Sequence, residues 1–353
     1  MACFAVCAAW AEPPAALRLV GGSLGVQCMM QADWRRPPPP LLLSAWRRRG
    51  GLSPPVQQGL PPELQGCHNV HLFCGADLDG FMGEGTAEAV LRGLLSSPQD
   101  RCAVASALLR LVHRGFKRDA LAAPEVAALQ ALIDRVEAPG AAVPPTHELL
   151  PVLDAARQRL LGHQAPASRH WPHLRELAAL LTDSGPDGDG ARALAQSAVP
   201  LHALHLLAVG RPKWGLEVDL ARWTPARGPH AAELVALEVK TTLRVYDAVR
   251  QLEGVVRVLW LAHILASRGR AQQASPGSNG DAPSAEGEGE DLRITAGVCG
   301  VRRRTPGAIA LSELSLQLTV GGWKLSRQVP VPVYVLGPHG RVVQAATRRQ
   351  ASC

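Results

Sequence analysis

Trp214-Gly-Leu-Glu-Val-Asp-Leu220 and Glu233-Leu-Val-Ala-Leu-Glu-Val-Lys240 decide how this chain reads. Both alternate apolar and polar residues with a period of two, which is the pattern of a strand with two unlike faces. Pro225, Gly228 and Pro229 lie between them and predict a hairpin loop. The pattern then changes to helical spacing from Tyr246 to Ser267, with Val249, Leu252, Val256, Leu259 and Leu261 apolar. Ala274–Glu290 is rich in Gly, Ser, Pro and acids, which predicts a flexible insertion, placed at 270–290. Three more segments follow: Leu292–Val301 as a strand, Leu311–Val320 as helix or strand, and Trp323–Leu336 as a strand. Pro330 and Pro332 move the last toward an edge or a bulge. A hairpin, a helix and further strands predict a compact α/β domain at 211–345.

Upstream, apolar residues recur at helical spacing in Thr86–Ser96, Asp100–Lys117, Pro124–Val136, His147–Leu161, Trp171–Leu181 and Ala191–Val209. Asp100 and Thr146 are candidate caps, and Pro124 suits a first helical position. Gly- and Pro-containing stretches separate the segments, so 51–210 reads as an α-helical array with no defensible repeat period. His202 and His205 are expected to be satisfied residues of a helix face rather than ligands. The fold expected is therefore α+β: an N-terminal α-helical array followed by a C-terminal α/β domain.

Composition agrees with helices packed on a small sheet. Of 353 residues, 47% are apolar but only 4% are aromatic, so the core must be built largely from Ala and Leu. Collagen-like, fully disordered and disulfide-scaffold classes are excluded. The net charge of +7 sits at the two ends. From Cys299 onward there are eight basic residues against one acid, Glu313, a balance that suits a polyanionic partner such as nucleic acid. Eight scattered cysteines without a paired spacing fit a reducing compartment. Cys67, His68, His71 and Cys74 form a tight group, but on a strand or helix they would not face one point, so a half-buried loop or strand is the better reading. Residues 1–50 carry six Arg against two acids and lack a globular pattern, as an organellar transit segment or a Pro-rich extension would. No stretch reads as a transmembrane helix.

The chemistry concentrates on the hairpin. Glu238 and Lys240 are two apart on one strand and project to the same side, where Asp219 of the neighbouring strand can meet them. Two carboxylates and a lysine suit metal-dependent phosphodiester cleavage. Asp219 and Glu238 would hold Mg²⁺, which activates water, while Lys240 stabilises charge. An exposed, salt-bridged strand face is the alternative for the same residues. The pattern resembles the D…(D/E)xK signature of restriction-endonuclease-like folds, and Gln251 on the next helix stands where some of those nucleases carry a helical Gln.

A longer stretch resembles the RAP domain, a module related to the same endonuclease-like fold. It lies at the C-terminus of FAST-kinase-domain proteins and of algal octotricopeptide-repeat proteins. The matching elements are Glu217-Val-Asp219-Leu-Ala, Ala236-Leu-Glu238-Val, Thr305-Pro-Gly, Leu311-Ser-Glu-Leu, Gly322-Trp323-Lys-Leu and Val329-Pro330. Lys240-Thr-Thr242 departs from the family's Asp-Gly-Pro, and 243–298 form a long insertion. The resemblance implies an organellar RNA-binding factor of a chloroplast or mitochondrion, acting in transcript processing, stability or translation. RNA contact would then fall on Arg302, Arg303, Arg304, Lys324, Arg327, Arg341, Arg348 and Arg349, with Trp323 as a stacking surface or a core residue. Protein partners through the helical array are a further expectation. The competing expectation is a Mg²⁺-dependent nuclease using Asp219, Glu238 and Lys240, toward which Lys240 itself points.

Overall fold

In the computed structural model the two opening segments are neighbouring interior strands of a mixed sheet. The structure describes residues 65–116, 124–161, 170–182, 189–227, 230–240, 245–274, 292–301, 312–320, 323–336 and 342–344. In chain order the elements are β1 (His68–Leu72), α1 (Gly75–Met82), α2 (Thr86–Leu95), α3 (Pro98–Phe116), α4 (Pro124–Glu137), α5 (Thr146–Leu161), α6 (Trp171–Thr182), α7 (Asp189–Ala195), α8 (Val199–Val209), β2 (Leu216–Thr224), β3 (Ala232–Lys240), α9 (Val245–Ala274), β4 (Leu292–Val301), β5 (Ser312–Val320), β6 (Trp323–Val331), β7 (Val333–Leu336) and β8 (Val342–Gln344). The protein is mixed α+β, with nine helices among the described residues.

Six strands form one sheet in the order β1-β2-β3-β4-β7-β8. β1 and β2 pair antiparallel, as do β2 and β3; β4 lies parallel to β3, β7 lies parallel to β4, and β8 turns back antiparallel. α9 supplies the crossover that a parallel β3–β4 pair requires. Residues 234–239 of β3 are all buried, as expected of a strand in a parallel pairing covered on both faces.

α9 is the central pillar. Val258, Leu259, Trp260, Leu261, Ala262, Ile264, Leu265 and Ala266 are all buried, so the helix has no wet face along this stretch. A helix that is apolar all round must be surrounded. Here the sheet and β5 take one part of its surface while α2 and α8 take another. Side chains of the helices, the sheet and the β5–β6 hairpin therefore meet in one continuous apolar core.

Several expectations are corrected. The segment 51–210 is not helical throughout, because His68–Leu72 adds an edge strand to the sheet and α1 follows it. Ala191–Val209 is two helices, since the chain turns at Ser197, whose Oγ accepts the Val199 N–H at 3.1 Å. Asp100 is not a cap: α3 begins at Pro98, and the Asp100 carboxylate accepts from Ser97 Oγ at 2.8 Å and from Arg268 of α9 at 3.3 Å. Residues 270–274, assigned to the insertion, are the last turn of α9, and the rest of that insertion lies outside the described residues. Trp323–Leu336 is two strands in two sheets. β6 pairs with β5 in a separate hairpin, Pro332 ends it, and β7 joins the main sheet. His202 and His205 are buried, and each ring is placed so that Nδ1 bonds the carbonyl one turn back, at 2.8 Å.

Candidate nucleic-acid and metal site

Leu220 pairs with Leu237, and one further step along that register sets Asp219 against Glu238. Asp219 also lies at an irregularity. β1 pairs His68 with Ala221 but Val70 with Val218, so Asn69 alone faces two residues of β2. A bulge of this kind is a common device beside functional sites. Asn69 holds the distortion by donating its side-chain amide to the carbonyls of Val218 at 3.2 Å and Asp219 at 3.4 Å. Asp219 Oδ2 in turn accepts the Val239 backbone N–H at 2.7 Å. Glu238 Oε2 accepts from Lys240 Nζ at 2.9 Å, as the same-face spacing predicts.

The electrostatics follow from burial and crowding. Glu238 is only 7% exposed. Loss of water, then the neighbouring Asp219 charge, push its carboxyl up to about 8 against the opposing pull of Lys240. Burial and crowding therefore both favour the protonated form of Glu238. Cys299, on the strand beyond β3, is driven up to about 12 by burial and by Asp219, so it remains a thiol. Lys213, just before β2, is lowered by its own half-burial and by Arg211, while Glu238 pulls it the other way. Lys213 thus belongs to the same electrostatic neighbourhood, although nothing in its local sequence marks it out.

Asp219, Glu238 and Lys240 are thus brought together as the strand pattern expected. Mg²⁺ keeps several waters and needs only one or two protein carboxylates, so Asp219 and Glu238 are a donor pair that fits it. Among the described residues no group of three or more His, Cys, Asp or Glu could hold a metal, and the group at 67–74 is no exception. That group forms β1 and its flanks, and its Cys67 and Cys74 are free, as are Cys102 of α3 and Cys299 of β4. Gln251 is exposed in the second turn of α9 and makes no hydrogen bond to Asp219, Glu238 or Lys240 among the described residues.

The expected RNA-contact residues are only partly described. Lys324 is exposed on β6, whereas Arg327 is half-buried and donates to the Leu292 carbonyl. Trp323 opens β6 opposite Val320. Arg302, Arg303, Arg304, Arg341, Arg348 and Arg349 lie outside the described residues. Missed by sequence reading are the exposed aromatics Phe73, Trp214 and Tyr246 (47%, 56% and 77% exposed). The signal was available in Trp214, which stands next to two cations, but apolar residues at strand ends read as ordinary core.

Comparison of the chain with protein-family models, curated proteins and solved structures finds no match. No described helix is long and apolar enough to cross a membrane.

Proposed function

We propose that this protein is an RNA-binding factor of a chloroplast or mitochondrion, with a RAP-like, endonuclease-related α/β core packed against helices. The observation that carries the reading is the antiparallel β1-β2-β3 run, helix crossover and parallel β4, with Asp219, Glu238 and Lys240 meeting on the two neighbouring interior strands. The groups of that cluster are engaged with one another and with the backbone, which supports binding over cleavage as the reading. Lys240 is engaged with Glu238, Asp219 is occupied by the Val239 N–H, and burial favours the protonated form of Glu238. The basic C-terminal segment supplies phosphate contacts, the helices supply a platform for protein partners, and residues 1–50 act as the organellar address.

A second reading, a Mg²⁺-dependent nuclease, is favoured by one specific observation. A carboxyl raised to about 8 by burial first and by the neighbouring Asp219 second is one whose ionised form a divalent cation would stabilise on binding. Bound there, the metal would supply Lewis-acid activation of water. Asp219 and Glu238 would hold it, and Lys240, released from Glu238, would face the phosphate.

The test uses labelled single-stranded RNA, duplex RNA and DNA with Mg²⁺ or EDTA at two salt concentrations. Salt-sensitive RNA binding without cleavage, weakened by neutralising Arg302, Arg303 and Arg304, is expected. Mg²⁺-dependent cleavage abolished in D219N and K240A would establish the nuclease instead.

A further inference from the structure

Antiparallel pairing puts three things at one end of the sheet. β3 and β4 end there, β1 ends there beside the start of β2, and α9 begins five residues after Lys240. In sheets with parallel strands ligands bind outside the carboxyl ends of the strands. This rim carries the Asp219–Glu238–Lys240 cluster. It also carries Phe73, Trp214 and Tyr246, the exposed large hydrophobic residues among those described.

The aromatic groups are held in place. The backbone of Phe73 is fixed by its N–H to Asp77 Oδ2 at 2.8 Å, and its ring stacks on exposed His71 with centroids 6.2 Å apart and planes 8° apart. The same ring lies against Gly215, where a Cβ would come within 2.6 Å of it, so a side chain at 215 would push the ring away. Trp214, the adjoining residue, rests on His170 with centroids 6.0 Å apart. Arg211 and Lys213 flank it on the same short connection. Part-exposed rings held by neighbouring groups, with cations beside them, are what stacked bases and a phosphate backbone require together. A duplex hides its base faces, so it cannot use such rings.

We propose that this rim is a single-stranded nucleic-acid track, in which Trp214 and Phe73 stack unpaired bases and Arg211 and Lys213 carry the phosphates past Glu238. This deepens the RNA-binding reading and rests on it. RNA is the occupant the reading favours. Tyr246, exposed in the first turn of α9, is the next aromatic along the chain after Lys240. Exposed Glu217, which faces His71 across the β1–β2 pair, is the charge that opposes the ligand.

The full chain is titrated with fluorescein-labelled 12-mers of uridine, of deoxythymidine and of a duplex RNA, read by anisotropy at two salt concentrations. Trp214→Ala and Phe73→Ala are each expected to weaken single-strand binding about 5- to 150-fold, while Trp214→Phe retains most of the affinity. Replacing both Arg211 and Lys213 by Ala should flatten the salt dependence, and Glu217→Lys should tighten binding. The tryptophan quench caused by unlabelled polyuridine should shrink in Trp214→Phe. Wild-type binding that survives Trp214→Ala and Phe73→Ala within twofold, with unchanged circular dichroism, would overturn the rim while sparing the RNA reading. Preference for the duplex would overturn the rim in the same way. No binding of any strand by the wild type would end both. Deoxythymidine bound as tightly as uridine would keep the track and refute RNA as its occupant.

Discussion

At the scale of single residues, buried titratable groups give the protein opposing pH responses. Glu238 binds its proton more tightly in the folded chain, with its pKa up at about 8 rather than the ordinary 4.5. The stability from that group is therefore complete below about pH 4.5 and is lost as pH rises toward 8. His202 and His205 act the other way. Burial lowers both to about 4, so their contribution is complete above about pH 6.5 and disappears as pH falls toward 4. Between pH 6.5 and 8 the Glu238 slope stands clear of the histidine slope. Urea unfolding at pH 6.5 and pH 8 should show the wild type losing about 1 kcal/mol. Glu238→Gln should remove that loss and be the more stable protein at pH 8. Equal slopes in the two proteins would mean that Glu238 is ionised throughout.

Among elements, the contact between α2 and α9 decides how the helices meet the sheet. It is an approach of backbone to backbone. A Cβ at Gly93 would stand 2.0 Å from the Leu265 carbonyl oxygen, and one at Gly269 would stand 2.0 Å from that of Ala89. On an isolated helix Gly→Ala is worth about 1 kcal/mol in favour of Ala. Here the methyl group has no room and the partner is backbone, which cannot rotate away. Gly93→Ala and Gly269→Ala should each destabilise by more than about 2 kcal/mol, measured by denaturant titration. A neutral or stabilising result would show that the helices can separate without loss. The site's strands depend on an equally local device. Asn69 at the bulge satisfies two carbonyls, so Asn69→Ala should cost about 1 kcal/mol and release Asp219 from its position.

For the whole molecule, the boundary expected at 210 cuts through shared structure. β1 pairs with β2 across about 150 residues of sequence, counted by the Asn69-to-Asp219 bond. Buried Asp100 of α3 meets buried Arg268 of α9, and one apolar core runs from the helices to the β5–β6 hairpin. A fragment of residues 211–345 would strip α9 of α2 and α8, exposing a row of large apolar side chains to water at roughly 25 cal/mol per Å². The fragment should show no cooperative unfolding by circular dichroism and should bind a hydrophobic dye. A sharp, two-state transition would instead mark 211–345 as an independent domain.

Much of this was legible beforehand for a physical reason. Local periodicity determines local structure, and so the β2–β3 hairpin, β4, α9 and six of the upstream helical segments were visible in the chain itself. So was the same-face spacing of Glu238 and Lys240, because a strand repeats every two residues. What the chain could not show is anything fixed by contacts distant in sequence. No local signal says that His68–Leu72 joins the sheet beside β2, that Pro332 hands the chain from one sheet to another, or that Gln251 lies in the open. Nor does any signal place Phe73, Trp214 and Tyr246 on one rim. Sequence by itself determined the elements and the pairing of carboxylate with lysine, since both depend on neighbours a few bonds away. Only the tertiary structure decided the sheet order, the burial that raises the Glu238 carboxyl and the exposure of the three aromatics, because burial, register and proximity arise when distant segments exclude water together.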